Sequence, residues 1–418
     1  MDNRTATSIH WTSIVQFLLS LAAVLLLLGG AGVVGLFWLA GAVSGSASAG
    51  MLGLAGVLAI LGVLCFPSAW LALLRLLNRP QPEWLAHVPD WRTASLIAAI
   101  VWPATLLFGS LAAGDPRLAS WVLPAADILA VGVPIFWLVS IGMRDLSPGS
   151  GQRAWGALGF SLAVTPLLAA AAEILLVVLA GLGIAVYLTS RPDLADELNR
   201  LAQRLANAQA DPEALQRILA PILQQPGAVF AVVALAAGGI PLIEELLKPL
   251  PLWLLARKGL RPEQGFSLGL ICGGGFALVE SLTAIVQSNG EMWAGLAAAR
   301  AGTALLHVTT AGIIGWALAR TWSDGYFMRA VLAYLAAVAL HGLWNLVSLS
   351  IGLAPFLPVR SVSLPAGLQA GWLAPALLVI LTVVLLVILI GLNRSLSLRA
   401  AEELPAAVPA DDRNGSIE

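Results

Sequence analysis

The chain alternates between long apolar runs and short polar joints, and that rhythm carries most of the information. About ten runs approach the roughly 20 apolar residues that cross a bilayer. They lie near residues 14–41, 49–76, 94–113, 121–143, 155–188, 227–256, 264–287, 294–319, 328–353 and 369–392. The pattern predicts an all-α fold, a polytopic membrane helix bundle. The first run exceeds the roughly 7–15 residues of a signal-peptide core, so it reads as a retained span even though AVSGSASAG follows it.

One joint is long. In RPDLADELNRLAQRLANAQADPEALQRILAPILQQP (191–226), Leu194, Leu198, Leu201 and Leu205 recur at helical spacing. Asp211 is placed to cap a second helix with Pro212 at its first position, and Leu215, Ile218, Leu219, Ile222 and Leu223 form its apolar stripe. Two amphipathic helices are expected there, lying on the membrane or covering a cavity. The predicted organisation is a five-span region (1–188), an extracytoplasmic amphipathic helical loop (189–226), a four-span core (227–353), a final span (354–394) and a disordered cytoplasmic tail (395–418). No internal repeat suggests a transporter-type duplication.

Composition agrees with the pattern. The 418 residues are 59% hydrophobic and 11% charged, with a mean hydropathy of +0.89, against about 25% charged in soluble domains. A net charge of −1 gives no basic excess for nucleic acid. Cys65 and Cys272 sit inside apolar runs and read as small buried hydrophobes. Lys and Arg gather in alternate short joints (Arg75, Arg79 and Arg92; Arg144 and Arg153; Arg257, Lys258 and Arg261; Arg320 and Arg329; Arg394 and Arg399), which predicts N- and C-termini on the cytoplasmic side.

The ionisable residues within the spans change the picture. The sixth span carries Glu244, Glu245 and Lys248, the seventh Glu280, the eighth His307, and the ninth His341 with Asn345. At 1.5 Å per residue Glu244, Glu280, His307 and His341 lie roughly 20–25 Å along their helices, so the set falls near one mid-membrane layer. A charge at that depth costs about 2.5–3.5 kcal/mol on insertion scales, so three glutamates and a lysine held apart would cost about 10 kcal/mol or more. They must pair, share protons or line a wet cavity. Glu244 and Lys248 are four residues apart on one face and can pair. Glu245 and Glu280, if they meet, would hold a proton between them. Gly238, Gly239 and Pro241 before the glutamates, and Pro249 and Pro251 after them, predict a broken helix. Gly273, Gly274 and Gly275 predict close helix packing. Glu173 in the fifth span, with no evident partner, reads as structural, as do Asp127 and Arg300, placed nearer a surface where they could snorkel.

This set is a general-base kit: a glutamate to activate water, and imidazole and amide groups to stabilise an oxyanion. The same groups could hold a divalent metal such as Zn2+ through Glu244, Glu280, His307 and His341. H-E-x-x-H is absent. An ion- or proton-coupled membrane transporter is the alternative that intramembrane Glu, His and Lys also suggest.

IEELLKPLP, GGGFALVES, TALLHVTT and LHGLWN, in that order over residues 230–350, resemble the PrsW family of intramembrane proteases, distant relatives of the type II CAAX prenyl endopeptidases. The resemblance implies hydrolysis of a membrane-anchored protein substrate, as in the first cut of an anti-sigma factor, within a lipid bilayer, here the inner membrane of a bacterium. It implies Glu244 as the base, Glu245 as its support, and His341 and Asn345 as the oxyanion-binding H-x-x-x-N pair. Glu280 stands where the prenyl endopeptidases carry histidine, and His307 would supply that imidazole. Lys248, a supporting residue, stands one position before their arginine, and these departures argue against CAAX processing.

Overall fold

A computed structural model describes residues 11–45, 49–85, 90–189, 192–207, 212–223, 225–256, 259–286, 288, 290, 292–353 and 372–402. The described residues are helical: α1 (Trp11–Ser44), α2 (Ala49–Leu76), a 3-10 turn (Glu83–Leu85), α3 (Trp91–Ala113), α4 (Pro116–Gly142), α5 (Gly151–Ala163) and α6 (Thr165–Thr189). There follow α7 (Pro192–Asn207), α8 (Pro212–Leu223), α9 (Pro226–Val233), a π turn (Ala234–Gly239), α10 (Ile240–Leu247), α11 (Leu250–Trp253), α12 (Pro262–Ile285), α13 (Trp293–Asp324), α14 (Met328–Leu353) and α15 (Leu373–Glu402). Ten helices or continuous helix runs among them are long and apolar enough to cross a membrane, as the hydropathy pattern predicts.

The boundaries differ from the sequence reading in two places. The fifth span is two helices, α5 and α6, meeting at Val164. Pro166 cannot donate to the carbonyl four residues back, so the helix breaks there. The last helix runs to Glu402, so the tail expected to be disordered from 395 begins as helix. In the long joint α7 and α8 form as expected; Asp211 and the Leu194, Leu198 and Leu215 side chains lie outside the described residues. So do 354–371 and the tail from 403.

The bundle is built around α12 and α13, the two most buried spans. Their contact has almost no side chain between the backbones. A Cβ on Gly269 would meet the Ala311 carbonyl oxygen at 2.3 Å, and one on Gly273 would meet that of His307 at 2.2 Å. Small residues let the axes approach this closely. Gly274 and Gly275 face elsewhere: Cβ atoms there would press on Val139 and Ile135 of α4 and on Ser161 and Leu158 of α5. The triple glycine therefore packs α12 against three neighbours at once.

Polar contacts pin the periphery. Gln16 of α1 donates to the Ser68 carbonyl of α2 and the Gln152 carbonyl of α5, and Gln152 returns a bond to Gln16 Oε1 at 3.1 Å. Asn393 of α15 donates to the Gly142 and Arg144 carbonyls at 2.9 and 2.8 Å, covering the orphan carbonyls at the end of α4.

Gly269→Val should lower the unfolding midpoint in detergent, because the obstacle is a backbone carbonyl and overpacking costs about 1–3 kcal/mol. Gly295→Ala, where a Cβ meets nothing within 4 Å, should leave the midpoint unchanged or raise it. Equal losses in a calorimetric scan would contradict the close α12–α13 contact.

Candidate active site

The centre is assembled on a helix that cannot stay regular. Pro241 lacks the N–H that would bond the Ala237 carbonyl, and the preceding turn widens until Ile240 N–H bonds Leu235 O, five residues back. Helix α14 takes up the loosened backbone. Asn345 donates its Nδ2 to the Ala236 carbonyl at 2.9 Å, and Gly342 lies so close that a Cβ would stand 2.3 Å from the Ala237 oxygen. The chain then re-forms α10, with Glu244 and Glu245 both buried. Lys248 closes that helix, and Pro249 and Pro251 prevent its regular continuation.

Lys248 is the hub. Its side chain is wholly buried, with Nζ 2.7 Å from Glu245 Oε1, 3.2 Å from Glu244 Oε2 and 2.6 Å from His307 Nδ1. It also lies over the Phe276 ring, 5.0 Å from the centroid. The Glu244–Lys248 pair expected from spacing is present, and Glu245 joins it.

Each histidine stands against its own carboxylate. His341 Nδ1 is 2.8 Å from Glu245 Oε1, and His307 Nε2 is 2.6 Å from Glu280 Oε2. The second pair lies at ion-pair distance without hydrogen-bond alignment. The partners set the tautomers: His341 Nδ1–H donates to Glu245, while His307 Nδ1 accepts from the ammonium and leaves its proton on Nε2. The rings meet edge to face, 5.1 Å between centroids. His341 Nε2, freed by this arrangement, stands 3.9 Å from Glu244 Oε2.

Glu245 and Glu280 therefore do not share a proton; each has its own partners. Glu280 is also held by Arg300, Nη2 to Oε1 at 2.9 Å, and Arg300 Nε donates to Ser281 Oγ at 3.0 Å. Arg300 does not snorkel to a surface as expected. It is a site residue that the sequence reading missed, although it lies two helical turns before His307 and so on the same face. Asp127 is likewise buried and accepts from Trp293 Nε1 at 2.7 Å. Glu173 is half-buried and lies within electrostatic reach of Glu280, Lys248 and Glu244. Asn345 shares a helix with His341, but its amide serves the π turn.

Glu244, His307 and His341 each offer one ligand atom, and these atoms lie within 4.8 Å of one another. Glu280, also expected as a ligand, stands behind His307 instead. Three features fit a divalent cation. Glu245 Oε2 is buried without a hydrogen bond, and Glu244 Oε2, though 3.2 Å from Lys248 Nζ, makes no aligned bond, whereas buried polar atoms are otherwise nearly always bonded. Counted as ionised, three carboxylates outnumber Lys248 and Arg300, so the cluster has an excess of negative charge. Carboxylates behind both imidazoles are the usual outer partners of histidine ligands.

No curated protein and no solved structure matches the chain. A family model does, that of the PrsW family intramembrane metalloproteases, over residues 175–390, just over half of the 418. This decides for a hydrolase over a coupled transporter. With that match over a buried Glu–His–His group in a ten-span bundle, the chain belongs to the PrsW family of intramembrane metalloproteases.

Proposed function

We propose that the protein cuts a peptide bond in, or just outside, the membrane segment of a membrane-anchored protein, with both of its own termini in the cytoplasm. The observation that carries this reading is the pair of carboxylate-backed histidines beside Glu244. Glu244, His307 and His341 would hold the metal. A zinc ion bound there supplies Lewis acidity and a water acidic enough to attack at neutral pH. Glu245 fixes the His341 ring, so that Nε2 presents its lone pair. Glu280, anchored by Arg300, holds His307 from the Nε2 side, so that Nδ1, which meets Lys248, is the nitrogen it would offer. Lys248 balances the acidic side of the centre. Asn345, whose resemblance-based role is oxyanion binding, acts in this reading by holding the Ala236 carbonyl and with it the register of α10. The client is an anchored regulatory protein, of the anti-sigma-factor kind that the family implies, in a bacterial inner membrane.

One observation favours a metal-free version. Lys248 Nζ already touches Glu244, Glu245 and His307, standing among the ligand atoms that a metal would use. In that version Glu244 takes the proton from water, and Lys248 and His341 stabilise the charge that develops.

Glu244→Gln and His341→Ala should each slow cleavage of a tagged single-span client by about a hundredfold or more; wild-type rates in both would remove the centre from the chemistry. The purified protein should carry about one zinc per chain, reduced in His307→Ala, with activity lost on chelation and restored by zinc. Activity that survives complete metal removal would select the metal-free version. Asn345→Ala should speed hydrogen exchange across 234–239, and unchanged exchange there would leave the oxyanion role standing.

A further inference from the structure

Helix α6 and the broken sixth span enclose a cavity of about 350 Å³, lined by Ala170, Glu173, Ile174, Val177, Val178, Leu235 and Ile240. Six of the seven residues are apolar, and Ile174, Val177 and Val178 are exposed on a peripheral helix, so the groove opens toward lipid. Its inner wall is continuous with the site: Leu235 belongs to the π turn, and Ile240 lies one helical turn before Glu244 on the same face of α10. Glu280, which stands behind His307, is the most exposed of the site carboxylates, with 36% of its side chain accessible.

Glu173 is the anomaly in this groove. Among the described residues it makes no hydrogen bond and no ion pair, although Glu280, Glu244 and Lys248 are within electrostatic reach. An unpaired carboxylate is costly in a membrane helix and marks a functional position by default. It lies two residues ahead of the family-matched segment, which starts at 175.

We propose that this groove receives the substrate's membrane segment beside the scissile bond, and that Glu173 selects a basic side chain, Lys or Arg, in it. The proposal rests on the protease reading above and adds a substrate preference to it. A Lys or Arg within a membrane segment is itself costly in lipid. Pairing with Glu173 offsets both penalties, which an apolar or acidic segment cannot do. The apolar walls accommodate the flanking aliphatic residues, and the short path to Glu244 places the paired residue within a few positions of the cut.

The test uses full-length protein in proteoliposomes and three single-span reporters that differ only in Leu, Lys or Glu at one position near the cut. The Lys reporter should have a kcat/KM about tenfold above the Glu reporter. Glu173→Gln should shrink that ratio toward one, and Glu173→Lys should invert it. A ratio untouched by both substitutions overturns the proposal. A second arm does not need turnover. In a Glu244→Gln background, Val177→Cys should crosslink through a short thiol reagent to a cysteine in the reporter segment. Val379→Cys, in the separate cavity lined by α3, α4, α13 and α15, should not. Equal or absent crosslinking at Val177→Cys means that lipid, not substrate, fills the groove, and overturns the proposal. If wild type cleaves no reporter, the protease reading fails, and the crosslinking arm still decides the groove.

Discussion

A fully buried ammonium cannot exist in a membrane bundle unless acceptors surround it, and Lys248 imposes that condition on the whole centre. Its three polar contacts come from its own helix and from α13, and through Glu245 it reaches His341 on α14. Through His307 it reaches Glu280 on α12. Removing Lys248 would leave Glu244 and Glu245 buried without their cation, which is far worse than never having made the pairs. For the same reason the charges are collected in one place. In a low-dielectric interior they stabilise each other only at contact distance.

The backbone has been arranged to permit this meeting. Two accommodations matter most. Glycines at 269 and 273 bring α12 and α13 into backbone contact, which sets Glu280 beside His307. The π turn before α10 rotates the following helix, and α14 holds that turn through Gly342 and Asn345. Helix α14 thus supports the sixth span at two levels: its amide fixes the unwound carbonyl, and one turn earlier its His341 meets Glu245. A broken helix at membrane depth is tolerated only where such partners re-satisfy it.

Much of this was legible in the sequence. Hydrophobic run length gave the ten spans, and the shared depth of Glu244, Glu280, His307 and His341 gave their convergence, because alternating helices of similar length bring equal depths together. The prolines and glycines around the glutamates announced the break. Other features depend on pairing across helices, which spacing along one helix does not encode. That Glu245 goes to His341 and Glu280 to His307 and Arg300, rather than to each other, follows from helix rotation. Arg300 was read as a snorkelling residue because depth along a helix was weighed without the face it occupies. The break at Val164 was missed because a single proline in an apolar run is common in membrane helices.

The account depends on Glu244, His307 and His341 forming one cation-binding centre. X-ray absorption at the zinc edge of the zinc-loaded protein tests it most directly. The expected spectrum shows a four-coordinate site with two imidazole ligands and oxygen at about 2.0–2.2 Å, losing one imidazole in His341→Ala. Zinc without imidazole scattering, or a spectrum indifferent to that substitution, would contradict it.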